Sequence, residues 1–150
     1  MKKLFNKVAE IEISYKPAIA DKPIISSSLD AYEVMIPFFP PETISLQERF
    51  VAMYLNRSNM VIGVYPLSVG GITGTVVDIR LLLSVALKIA ATGIILCHNH
   101  PSGNMRPSAA DEDITKKVKK ACEFMDLKLL DHLIIAPEGK YLSFNEDGLL

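Results

Sequence analysis

IILCHNHPSGNMRPSAAD, residues 94–111, passes from a strand to a helix through one short loop. The continuous apolar run Ile94-Ile95-Leu96-Cys97 is that of a central strand covered on both faces. Pro101 ends the strand. Ser108-Ala109-Ala110-Asp111 has the spacing of a capping box, with Ser108 at the N-cap and Asp111 at the third helical position, and it opens a helix reaching about Met125. His98 and His100 stand one residue apart at the strand end, so both imidazoles point to one face, while Cys97 and Asn99 point to the other. A carboxylate in the first turn of the next helix can complete a His-His-Asp set. Three nitrogen and oxygen ligands with an open fourth position describe a catalytic zinc site. Such a site lowers the pKa of bound water from ~16 to roughly 7. Helix capping alone also accounts for Asp111, and from the residues by themselves the two readings stand side by side.

Upstream, Asp78 precedes an apolar helix reaching about Thr92, with Gly93 as its stop signal. Arg49 to Leu55 and Met60 to Tyr65 read as a hairpin around the turn Asn56-Arg57-Ser58-Asn59. Downstream, strands near Leu129 to Ala136 and Tyr141 to Phe144 flank Pro137-Glu138-Gly139-Lys140. Nearer the N-terminus, Val8 to Tyr15 alternates Ile11, Ile13 and Tyr15 with Glu10, Glu12 and Ser14, which predicts a half-buried strand. An extended connection with Pro17 and Pro23 follows, and Ser28 is expected to cap a short helix over Leu29 to Met35, ended by Pro37. Strands alternating with helices predict an α/β domain with a mixed sheet and helices packed on it; the hairpins exclude an all-parallel sheet. The expected division is an extension over 1–26, carrying one strand, and a single domain over 27–150.

Composition narrows the function classes. Hydrophobic residues make up 49% of the 150 residues and charged residues 22%, an ordinary globular profile. The formal net charge of −1 gives no basic surplus for nucleic acid. The one basic cluster, Lys116-Lys117-Val118-Lys119-Lys120, spreads around a helix and reads as a solvated face. Two cysteines, Cys97 and Cys122, form no CxxC pair, which points to a reducing cytoplasm. The opening Met1-Lys2-Lys3-Leu4-Phe5 turns polar too soon for a signal peptide. The greasy stretch Leu81 to Cys97 is interrupted by Lys88 and Gly93, short of the ~20 apolar residues of a membrane span.

The pattern His98-x-His100-Pro101, six residues, then Ser108-x-x-Asp111 resembles the metalloprotease signature of the MPN/JAMM family. The words HNHPSGN, PSAAD, DIT, MDLKLLDHLII and YLSF are closer still to its bacterial RadC branch, and the similarity runs from about Ile44 to the C-terminal residue. The resemblance implies a three-layer-like mixed sheet flanked by helices, similar to cytidine deaminases in architecture. It also implies zinc on His98, His100 and Asp111, with Ser108 stabilising an oxyanion. The glutamate general base of the family matches Glu48, in Leu46-Gln47-Glu48-Arg49-Phe50. Asn99 stands where the deubiquitinating members usually carry serine or threonine, which weakens an inference of ubiquitin-type substrates. RadC proteins usually carry an N-terminal helical segment resembling a DNA-binding hairpin, whereas the start of this chain up to Ser26 does not read as helical.

Other residues receive plainer readings. Asp131-His132 is expected to hydrogen-bond inside the fold rather than to ligate. Glu112 and Asp113 should turn away from Asp111 and serve the helix dipole. Gly70, Gly71 and Gly74 lack the context of a dinucleotide loop and are expected to shape a turn or bulge near the site. The letters HNH do not indicate an HNH nuclease, whose motif spreads over tens of positions, and the downstream P-C-x-x-C of zinc deaminases is absent. Three functions follow for testing: a zinc hydrolase of peptide or isopeptide bonds acting on a peptide or protein, a DNA-associated accessory protein, and a non-catalytic interaction module.

Overall fold

The apolar run in Arg49–Leu55 and the turn residues after it fold into a hairpin, which sits at one side of a five-stranded sheet. The computed structural model describes residues 8–17, 21–71 and 75–150. In chain order the elements are α1 (Ser28–Met35), a short 3-10 turn (Ile36–Phe38), β1 (Arg49–Leu55), β2 (Val61–Val69), α2 (Ile79–Lys88), β3 (Gly93–Asn99), α3 (Ala109–Phe124), β4 (Lys128–Ile135) and β5 (Tyr141–Ser143). The sheet order is β2-β1-β3-β4-β5. Only β3 and β4 pair in parallel, joined through α3, and the other pairings are antiparallel. The protein is therefore α/β with a mixed sheet, as the sequence predicts.

Two cores cover the two faces of the sheet. Ala31 and Met35 of α1 pack on Val51, Met53, Ile95, Cys97, Leu133 and Ile135. On the opposite face, Leu82 and Ala86 of α2 and Val118 and Cys122 of α3 pack on Phe50, Ala52, Tyr54, Ile94 and Leu96. The central strand β3 is buried along its whole length, which explains why its sequence is continuously apolar rather than alternating. Tyr54, buried beneath α2, donates from its hydroxyl to the Leu82 carbonyl at 2.9 Å.

Three local expectations are corrected. Residues 8–17 form no strand, and Ile11 and Ile13 are 88% and 76% exposed, because no neighbouring strand takes up their apolar edge. The cap of α1 is Ser27, one residue before the expected Ser28; its hydroxyl accepts from Asp30 N–H while Asp30 accepts from Ser27 N–H. The helix over 79–88 stops at Lys88, where Ala90 takes a left-handed φ of 52°, and Gly93 is the first residue of β3. A Cβ on Gly93 would come within 2.8 Å of the tip of Leu130. Glycine there gives that side chain room. The opening residues 1–7 and Gly74 lie outside the described residues.

Candidate metal centre

Strand β3 carries His98 near its end, with His100 just beyond it, and α3 brings Asp111 across from above. The three donor groups converge: His98 Nε2 lies 3.0 Å from His100 Nε2 and 3.2 Å from Asp111 Oδ1, and His100 Nε2 lies 3.2 Å from Asp111 Oδ2. The capping box predicted for Ser108 is present as well. Ser108 Oγ accepts from Asp111 N–H at 3.1 Å, and Asp111 Oδ2 accepts from Ser108 N–H at 2.8 Å. Capping and convergence on the histidines are thus compatible roles of one carboxylate.

The protons in this cluster are assigned by the partner atoms. Thr115 is buried, and its hydroxyl donates to the Asp111 carbonyl at 2.6 Å, leaving its oxygen to accept from His132 Nδ1–H at 2.7 Å. His132 Nε2 is then an acceptor and takes the Nδ1–H of His98 at 2.8 Å. The Nε2 of His98 is left with a lone pair aimed at the site. The Nδ1 of His100 donates to the Asn104 carbonyl at 2.5 Å, so its Nε2 is also a lone pair. Two lone pairs and a carboxylate 3.0–3.2 Å apart need a cation between them. The groups fit a tetrahedral metal ion, whose ligands at roughly 2.0–2.1 Å stand about 3.3 Å from one another. Without metal a proton on His100 does the same work.

Electrostatics agree with that geometry. Burial pushes Asp111 up, but the hydrogen bond from protonated His100 and the adjoining His98 outweigh it and hold the carboxyl far below its usual range. The same bond to Asp111 raises His100, against its burial, and the Asn104 carbonyl adds to the rise. His132 is completely buried, which pushes its pKa well down and keeps it neutral, as the relay requires. Phe50 stacks on His98 with ring centroids 5.4 Å apart, and Phe144 stacks on His132 at 4.7 Å.

Glu48 precedes β1 and is half-buried on the wall of a cleft of about 690 Å³ that His100, Ser108 and Asp111 also line. Burial raises its pKa; the nearby His98 opposes that shift and the Asp111 charge reinforces it. Glu48 is fixed through its backbone. Asn99, buried on the other face of β3, donates to the carbonyls of Ile44 and Gln47 at 2.8 and 2.9 Å and accepts from Arg49 N–H at 2.7 Å. From the far side Gly70 N–H donates to the Glu48 carbonyl at 2.7 Å.

The remaining sequence readings resolve simply. Cys97 faces the opposite core, fully buried, with its thiol pushed well up by burial. Glu112 and Asp113 are exposed and stand outside the cleft. Asp131 is buried and accepts from Ser143 Oγ at 2.6 Å and Asn145 N–H at 3.0 Å, so it hydrogen-bonds inside the fold. His132 does so too, but against His98, which puts it directly behind the site. The sequence reading missed that role, along with those of Thr115 and Asn99.

Comparison with known proteins matches the profile of the RadC-like JAB domain to residues 25–149. The chain belongs to that family. Among curated relatives, the RadC-like chain is 51% identical over 125 residues to a UPF0758 protein of Flavobacterium johnsoniae, covering 83% of this chain and 53% of the relative. It is 42% identical to a UPF0758 protein of Porphyromonas gingivalis, over 84% of this chain and 54% of the relative. A UPF0758 protein of Streptococcus gordonii is 46% identical over 67% of this chain and 44% of the relative. The RadC-like chain therefore spans about half the length of the curated relatives it matches. Among the described residues, no helix is long and apolar enough to cross a membrane.

Proposed function

We propose that this RadC-like domain is a zinc-dependent hydrolase of amide bonds, a peptidase or isopeptidase of the JAMM type. The observation that carries the reading is the convergence of two imidazole lone pairs and one carboxylate within 3.0–3.2 Å of each other. His98, His100 and Asp111 would hold the ion. When bound, zinc supplies a Lewis acid that makes water nucleophilic near neutral pH.

The chain's own residues supply the remaining chemistry. Glu48, held at the cleft wall with a raised pKa, takes a proton from the attacking water and delivers it to the departing amine. The oxygen of Ser108 is occupied by the Asp111 amide, which leaves its hydroxyl hydrogen to donate to the oxyanion of a tetrahedral intermediate. A peptide or protein is the substrate class.

Elemental mass spectrometry on wild type, His100→Ala and Asp111→Ala tests the reading. About one zinc per chain, lost in both variants, is the expected result. A wild type that stays metal-free with zinc added overturns it, and Ser108 with Asp111 then serves only as a helix cap.

A further inference from the structure

Two cations line the same cleft without a carboxylate to neutralise them. Arg106, on the loop before α3, and Lys117, on the second turn after Asp111, are both exposed on its wall. Among the described residues neither has an acidic group within 4.0 Å, and the one Lys or Arg ion pair formed is Arg80 with Asp78. In the zinc-loaded site, Asp111 and Glu48 together balance a divalent ion. Arg106 and Lys117 are then a local excess of positive charge in a chain whose formal net charge is −1.

On that basis we propose that Arg106 and Lys117 form an anion subsite of the cleft, one that selects peptide substrates with a carboxylate side chain or terminus close to the scissile bond. This rests on the hydrolase reading above and gives it a substrate class. Asp111, Ile114 and Lys117 follow one another at three-residue spacing along α3 and all line the cleft, so Lys117 stands about 9 Å along the helix axis from Asp111. An extended peptide advances roughly 3.3 Å per residue, which puts the recognised carboxylate within about three residues of the reacting carbonyl. Apolar Phe50 and Ile114 on the same walls suit a peptide side chain. A nucleic-acid backbone is the poorer fit, because it rewards many phosphate contacts, and Lys116, Lys119 and Lys120 do not line the cleft.

The test uses two peptide hydroxamates, identical except for glutamate or glutamine two residues from the hydroxamate. Calorimetry measures their binding to the zinc-loaded full chain and to Arg106→Gln and Lys117→Gln. Wild type is expected to prefer the glutamate ligand by about tenfold, the preference shrinking in salt and in each variant while the glutamine ligand binds unchanged. Equal affinity of wild type for both ligands overturns the subsite and leaves the metal reading intact. If the zinc-loaded wild type binds neither, the peptide-hydrolase reading fails and the subsite falls with it. Displacement of the glutamate ligand by an equimolar short single-stranded oligonucleotide assigns the cations to phosphate and overturns the peptide class.

Discussion

His98 Nδ1 lies 2.8 Å from His132 Nε2, deep in the protein, and this contact decides which nitrogen of His98 faces the cleft. A neutral imidazole has one donor and one acceptor, so the hydrogen bond made at the rear of the ring sets the chemistry at its front. Metal-ligating histidines are usually oriented from behind in this way, commonly by a carboxylate or carbonyl. Here the partner is a second imidazole, itself held by Thr115.

Thr115→Val keeps the shape of that side chain and removes the oxygen accepting from His132. Zinc affinity, measured by competition with a chromogenic chelator, is expected to fall about 10–100-fold. Nitrogen-15 NMR of the imidazoles should show His98 losing its single tautomer. Unaltered affinity together with an unaltered tautomer would exclude the relay.

Glu48→Gln separates chemistry from binding. Zinc stays at about one per chain, while turnover on any cleaved peptide drops by at least about 100-fold. Stability should move the other way. Because burial raises its pKa, folded Glu48 holds its proton more tightly than the unfolded chain does. Stability therefore declines as pH rises from the ordinary carboxyl pKa to the raised one, and the loss persists above it. The metal-free variant should unfold at a higher urea midpoint than wild type at pH 7, with the difference closing below about pH 4. A lower midpoint at pH 7 contradicts this sign.

Asn99→Ala leaves Ile44 O, Gln47 O and Arg49 N without their buried partner. A loss of about 2–4 kcal/mol in urea unfolding is expected. Turnover should fall with zinc content unchanged, since the loosened segment carries Glu48 and no ligand.

Ile11→Asp with Ile13→Asp tests the N-terminal segment. Both side chains are exposed and no strand forms there, so unfolding free energy should change by less than about 0.5 kcal/mol. A larger loss means that these residues pack in solution as the half-buried strand their alternation suggests.

The sequence made the hairpin, both long helices and the strand-to-helix passage at the site readable, because local rules govern each of them. Continuous burial marks β3, two apolar, partly β-branched runs around a turn mark β1 with β2, and a capping box opens α3. His132 was hidden for a specific reason. The pairing of β4 with β3 slips by one residue, Ile94 opposite Leu129 but Ile95 opposite Asp131. Strict alternation from Leu129 would send His132 to the face away from His98; the slip at Leu130 returns it to that side. Glu48 was readable only through the family resemblance. Its position depends on three hydrogen bonds to Asn99, about fifty residues away in the chain, and no local pattern encodes them. Residues 8–17 show the opposite failure, a local strand pattern for which the fold offers no partner.

The hydrogen bonds behind the site become a closed ring once a cation sits in front. The path His98, His132, Thr115 returns to the carbonyl of Asp111, whose carboxylate stands 3.2 Å from the lone pair of His98 Nε2, a gap that a cation closes. A chain of contacts can loosen from a free end, but a loop has none. With the cation in place, the first turns of α3 and strands β3 and β4 are tied through one ring, and tilting the helix off the sheet would break it. The flank between residues 75–77 and 101–107, which lines the cleft without belonging to that ring, is where the walls are left free to give.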